Sequence, residues 1–104
     1  MPAISSKLRA RILQAIAHPN RIRILEAVRK GLTCSCEIAP QLDMEQSNLS
    51  RHMKILVDSG ILTPQRDGVR INYRVADEEV FQLLDLSGRI VRNAAERSIH
   101  ETEF

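Results

Sequence analysis

The chain has 104 residues, 15 Lys plus Arg, 13 Asp plus Glu and a formal net charge of +2. That length holds a single domain, 1–104, which buries only roughly 60–70% of its unfolded surface, so a partner subunit is a natural source of added stability. Aromatics at 3% with no Trp exclude a base-stacking platform, no apolar run approaches the roughly 18 residues of a membrane span, and MPAISSKLRARI lacks the apolar stretch of a secretory signal; the expectation is a cytoplasmic protein with no membrane partner.

Residues 7–17 place Leu8, Ile12, Leu13 and Ile16 at helical spacing. His18-Pro19-Asn20 breaks this run, and Pro19 suits the first position of a second helix. Ile22, Leu25 and Val28 form its stripe, and Gly31 ends it. Thr33 to Leu42 reads as a short third helix. Pro40 would clash with the carbonyl of residue 36 in a helix interior, so this helix is expected to start near Cys36.

Asp43 and Gln46 have the spacing of a capping box, and Leu49, Met53 and Leu56 give the fourth helix its apolar stripe before Gly60. Its first half carries Gln46, Ser47, Asn48, Ser50, Arg51 and Lys54, with His52 placed to pack or to touch phosphate. Ser and Asn are poor interior helix formers, a local penalty expected where function overrides propensity.

Residues 61–75 change to period two. The turn is expected at Asp67-Gly68, with Val69, Ile71, Tyr73 and Val75 on one face and Arg70, Asn72 and Arg74 on the other. Pro64 suits an edge strand, and Arg66 and Arg70 flank the turn. Asp77-Glu78-Glu79 opens the last helix with acids at its positive dipole end; Val80, Leu83, Leu84, Ser87, Ile90, Val91 and Ala94 form its stripe, and 98–104 reads as a frayed tail.

The fold class is therefore mainly α (α+β), with a hairpin between the fourth and last helices. Charge is uneven along it. Residues 1–44 hold seven Lys/Arg against three Asp/Glu, and residues 77–104 hold three against seven. Twelve of the fifteen basic residues are Arg, the side chain suited to phosphate and base edges. A short helix, a four-residue link and a polar helix start suit helix-turn-helix geometry, in which the second helix enters the major groove of double-stranded DNA. Gln46, Ser47, Ser50 and Arg51 are placed to read base edges, and the hairpin arginines to reach phosphate or the minor groove. A solvated face would explain any one of these features, but their joint order favours DNA.

HPNRIRILEAV, EQSNLSRHMKILVDSGIL and RDGVRINYRV resemble the ArsR/SmtB family of winged helix-turn-helix repressors over roughly residues 7–95. The resemblance implies the order α1-α2-α3-α4-β1-β2-α5, a homodimer through the first and last helices, an inverted-repeat operator, and release when an inducer binds. The family's arsenic-type site reads C-V-C-D-L-C at the start of the third helix. The matching residues here are Cys34, Ser35, Cys36, Glu37, Ile38 and Ala39, so two of three sulfurs are present. Its zinc-type site on the last helix is matched at Asp77 but not at Glu79, Ile90 or Asn93.

Cys34 and Cys36 are too close to make a useful structural staple, and a reduced thiol pair is expected. Thiols at a helix N-terminus gain thiolate character, and thiolates select soft ions: As(III), Sb(III), Hg(II) or Cd(II). Residues i and i+2 diverge on a regular helix, so both reach one atom only if Cys34 precedes the helix. The expected function is thus a repressor with a small inorganic inducer, best arsenite or antimonite, and no obligatory cofactor. The alternatives are a thiol-redox repressor and, from another class, a winged-helix protein-interaction module. No general base, paired carboxylates or Gly-rich pocket loop marks an enzyme.

Overall fold

Alternating runs of apolar and polar residues at helical spacing fold here into four helices, a hairpin and a long final helix. The computed structural model describes residues 3–102. Helix α1 (Ser6–Ile16) is capped by Ser5, whose hydroxyl accepts from the Lys7 N–H at 3.1 Å. Helix α2 (Pro19–Arg29) has Pro19 at its start and His18 as its cap, with Nδ1 accepting from the Asn20 N–H at 3.0 Å. Helix α3 (Ser35–Gln41) begins one residue earlier than expected, with Cys34 as its extended cap. Pro40 consequently lies inside this helix rather than near its first turn. Pro40 offers no N–H to the Cys36 carbonyl, so this short helix forgoes that one bond.

Helix α4 (Gln46–Asp58) follows a tight turn in which Asp43 adopts φ 51°. The capping box expected between Asp43 and Gln46 does not form. Glu45 is the cap residue and makes no side-chain cap bond. Asp43 supplies the left-handed residue the turn requires, a conformation Asp tolerates better than most, and Gln46 begins the helix instead of sitting one turn into it.

Strands β1 (Leu62–Asp67) and β2 (Arg70–Val75) pair antiparallel, Leu62 opposite Val75 and Asp67 opposite Arg70. The two-residue loop is Gly68-Val69, one step later than the expected Asp67-Gly68. Gly68 has φ 65°, which suits a glycine-first hairpin turn. Val69 sits in the loop and is fully exposed, so it leaves the face shared by the half-buried Ile71, Tyr73 and Val75. Helix α5 (Glu79–Thr102) starts with the Asp77 carboxylate accepting from the Glu79 N–H at 2.9 Å. It continues to Thr102, so residues 98–102 are helical where a frayed tail was expected, and 103–104 lie outside the described residues.

The core lies where α2, α3, α4 and β1 meet. Ile24, Leu25, Ile38, Leu49 and Leu56 are completely buried there, and Leu84 reaches it from α5. Much of α1 and α5 stays outside: Leu8, Leu13, Ile90 and Val91 are each more than half exposed. The radius of gyration, 16.4 Å, exceeds the roughly 13 Å of a compact 100-residue domain because these helices project from the core.

Leu49→Ala should cost about 2–5 kcal/mol of stability in urea unfolding at fixed protein concentration, whereas Val69→Ala should stay within about 0.5 kcal/mol. Equal losses would misplace the core.

Candidate nucleic-acid interface and thiol pair

Helix α4 buries Leu49, His52, Met53 and Leu56. Its helical period therefore turns Gln46, Ser47, Ser50, Arg51 and Lys54 outward, where all five are exposed, with Asn48 half-buried beside them. Arg51 donates to the Asn48 side-chain Oδ1 at 3.0 Å, and Lys54 pairs with Asp58 at 3.0 Å. Arg66, Arg70 and Arg74 are exposed on the hairpin.

Two candidates from the sequence are used differently. His52 is 9% exposed and faces inward. Arg21 can only donate, so His52 Nδ1 is the acceptor in their 3.2 Å contact. The His18 ring lies 4.5 Å away, centroid to centroid. Asn72 is half-buried and accepts from the Thr33 hydroxyl at 3.2 Å. Of the two alternatives the sequence left for His52, packing is the one realised, in keeping with its place between Leu49 and Leu56 on the apolar stripe; Asn72 turns inward because Thr33 packs over that edge of β2.

Burial, then the charges of His18, Arg21 and Arg51, hold the His52 pKa below its ordinary value. Asn20 and Arg23, which no sequence motif singles out, lie beside the start of α4. Arg23 donates to the Leu42 carbonyl at 2.8 Å and to the Asn20 side chain at 3.2 Å, securing the turn that leads to α4. Nor does any motif single out the pair that ties α2 to α5: Arg29 donates two bonds to Asp85, 2.7 and 2.8 Å, and lies 5.3 Å from the Phe81 ring centroid. That double hydrogen bond raises the Arg29 pKa and lowers that of Asp85. No sequence spacing links positions 56 apart.

Cys34 and Cys36 come together. Cys34 is extended and buried, Cys36 lies in the first turn of α3 and is exposed, and their Cα atoms are 5.1 Å apart. They are joined as a disulfide, which corrects the expectation of free thiols. The break from extended chain to helix at Ser35 explains this, since it brings the Cα atoms into the range a disulfide needs. The Cys36 N–H also donates to Cys34 Sγ at 3.2 Å. Ala39, at the family's third cysteine position, is buried. Among the described residues, no three His, Cys, Asp or Glu side chains converge as a metal-binding group.

A helix-turn-helix (α3 and α4) followed by a two-stranded wing (β1 and β2) defines a winged-helix DNA-binding protein. Residues 18–63 match the family described as bacterial regulatory protein, arsR family. The chain is 38% identical over 72 residues to the arsenical resistance operon repressor of Bacillus subtilis, covering 68% of this chain and 69% of that one. It is 31% identical over 87 residues to the probable mercury resistance operon repressor of Streptomyces lividans, covering 84% and 70%. It superposes on the homodimeric winged helix-turn-helix DNA-binding domain of Mb0332 from Mycobacterium bovis with TM-score 0.77 and 26% identity, covering 93% and 95%. The chain belongs to the ArsR family of winged-helix repressors, which are DNA-binding transcriptional regulators and not enzymes.

The depressed His52 pKa has a definite consequence. An unfolded His titrates near about 6.5, so the folded state binds fewer protons just below that pH. The contribution is complete above the unfolded value and is lost as pH falls toward the folded one. Thermal stability should therefore drop between about pH 7 and pH 5, and His52→Asn, which keeps an acceptor for Arg21, should drop less over the same interval. An identical pH slope in the variant would show that His52 is not the titrating group.

Proposed function

We propose that this chain is a homodimeric repressor whose grip on operator DNA is relieved when a soft metalloid, arsenite or antimonite, binds the reduced Cys34/Cys36 pair. The observation that carries the proposal is the change of backbone at Ser35, which turns both sulfurs toward one point at the base of α3. As(III) is pyramidal, and two sulfurs brought together at the base of α3 can fill two of its three positions. Arsenous acid, As(OH)3, would react with the two thiols: two As–O bonds break, two As–S bonds form, and each thiol proton leaves with a hydroxyl as water, with no change of oxidation state. The buried Ala39 leaves the third position to the remaining hydroxyl. The exposed Cys36 gives the ion its entry. The names of the relatives in Bacillus subtilis and Streptomyces lividans support a thiophilic inducer.

On DNA, Gln46, Ser47, Asn48, Ser50 and Arg51 would face base edges, and Lys54, Arg66, Arg70 and Arg74 the phosphates. His52 and Asn72 would position these elements from behind. The exposed apolar residues of α1 and α5, Leu8, Leu13, Ile90 and Val91, would meet their copies in a second subunit. The Mb0332 domain is a homodimer with this arrangement of elements. A dimer of this kind acts in the cytoplasm, beside its DNA, and needs no resident cofactor.

The disulfide favours a second reading, in which peroxide is the signal. Two thiols would give up two electrons and two protons, and hydrogen peroxide would become two waters.

One titration separates the two readings. Reduced protein bound to operator should be released by arsenite and antimonite, and Cys34→Ser/Cys36→Ser should stay bound. Release by peroxide alone would select the redox reading. Arsenite release unchanged in the double variant would remove the cysteines from arsenite sensing, and peroxide release unchanged in it would remove them from the redox role.

A further inference from the structure

The thiol segment is bonded to the wing as well as to the helix it caps. The Tyr73 N–H donates to the Thr33 carbonyl at 2.8 Å. The Thr33 hydroxyl donates to the Asn72 side chain at 3.2 Å, and Cys34 forms a single antiparallel bridge with Asn72. One turn further along α3, Glu37 forms an ion pair with Arg70. Residues 33–34 thus act as a partial third strand beside β2, on the edge that β1 leaves free. The polar tie from this segment to α4 is weaker: Gln46 donates to the Ser35 carbonyl at 3.5 Å on the exposed surface.

From this arrangement we infer that β2 of the wing is the route by which chemistry at Cys34 and Cys36 reaches DNA, with Asn72 and Glu37 as the positioning residues. The inference rests on the thiol pair being the effector site. Drawing both sulfurs onto one arsenic atom re-aims the backbone of residues 34–36. The Cys36 N–H then loses the sulfur it now bonds to, the Cys34–Asn72 bridge shifts, and Glu37 carries Arg70 with it. Arg70 leaves its phosphate while the outward face of α4 keeps its own seat on the core. Arsenite then removes contacts that carry no sequence information, so operator and random DNA weaken by similar factors. The salt dependence also becomes shallower, by a slope of about 2 for a dimer that loses one phosphate contact per subunit.

The test uses full-length protein held reduced with a phosphine, and arsenite as the probe. Arsenic binding is read from the sulfur–arsenic absorbance in the ultraviolet, and DNA binding from fluorescence anisotropy on operator and random duplexes at several salt concentrations. Wild type should bind one arsenic per subunit and lose at least about fivefold in DNA affinity. Asn72→Ala and Glu37→Gln should bind arsenic equally well and lose less than about twofold on its addition. Glu37→Gln alters an exposed pair and keeps the test open if Asn72→Ala proves unstable. Variants that bind arsenic and still release DNA like wild type would overturn the wing as the route and leave the thiol reading standing. Wild type that binds no arsenic, or keeps its DNA when arsenic is bound, would overturn both.

Discussion

Everything the molecule presents to DNA depends on how α4 is seated. Leu49, Met53 and Leu56 lie 2% exposed or less against α2, α3 and β1. Fully burying each such side chain is worth about 1.5–3 kcal/mol. That sum is comparable with the total stability of a small domain, about 5–15 kcal/mol. The Ser and Asn residues in the first half of α4 cost only a few tenths of a kcal/mol each in helix propensity. Burial therefore wins over propensity, the helix forms, and its rotation is set from inside. The polar residues face outward because the apolar ones have no other place to go.

The seat is not purely apolar. Arg21 reaches from α2 to His52 Nδ1 and to the Ala15 and Gln14 carbonyls, so one guanidinium joins the end of α1 to the recognition helix. An apolar stripe alone lets a helix slide or roll by small amounts. A guanidinium with three acceptors does not, and a neutral imidazole is the form that accepts its bond. Arg29 does the same for α5 through Asp85 and Phe81. The DNA-facing unit and the helix that would join two subunits are thereby held at one angle.

Helix order, the apolar stripe of α4, Pro19 as a helix start, Gly31 and Gly60 as stops and a hairpin bearing arginines were all legible in the sequence, because each follows from local spacing or backbone preference; the stripe of α2 was not, since Ile22 is exposed and Ile24 and Ala27 are buried beside Leu25 and Val28. The departures arise where two elements compete for one residue. Asp43 had the spacing of a cap, but the α3–α4 turn needed a left-handed residue and took it. Asn72 alternated with outward arginines, but Thr33 and Cys34 cover that edge of β2. The cysteines were recognised as a pair that can meet if Cys34 precedes the helix, and Cys34 is the extended cap of α3. The outcomes at Asp43 and Asn72 have no one-dimensional signature.

The measurement that tests the account most directly compares Arg51→Ala and Arg74→Ala on operator and random DNA across a salt series. If the outward face of α4 reads bases, Arg51→Ala should cost about 1–3 kcal/mol of discrimination between the two duplexes. Arg74→Ala should weaken both equally and reduce the salt slope by about 1 per subunit. Equal losses on both duplexes for Arg51→Ala, with discrimination intact, would contradict the central claim that the seating of α4 creates the surface that recognises DNA.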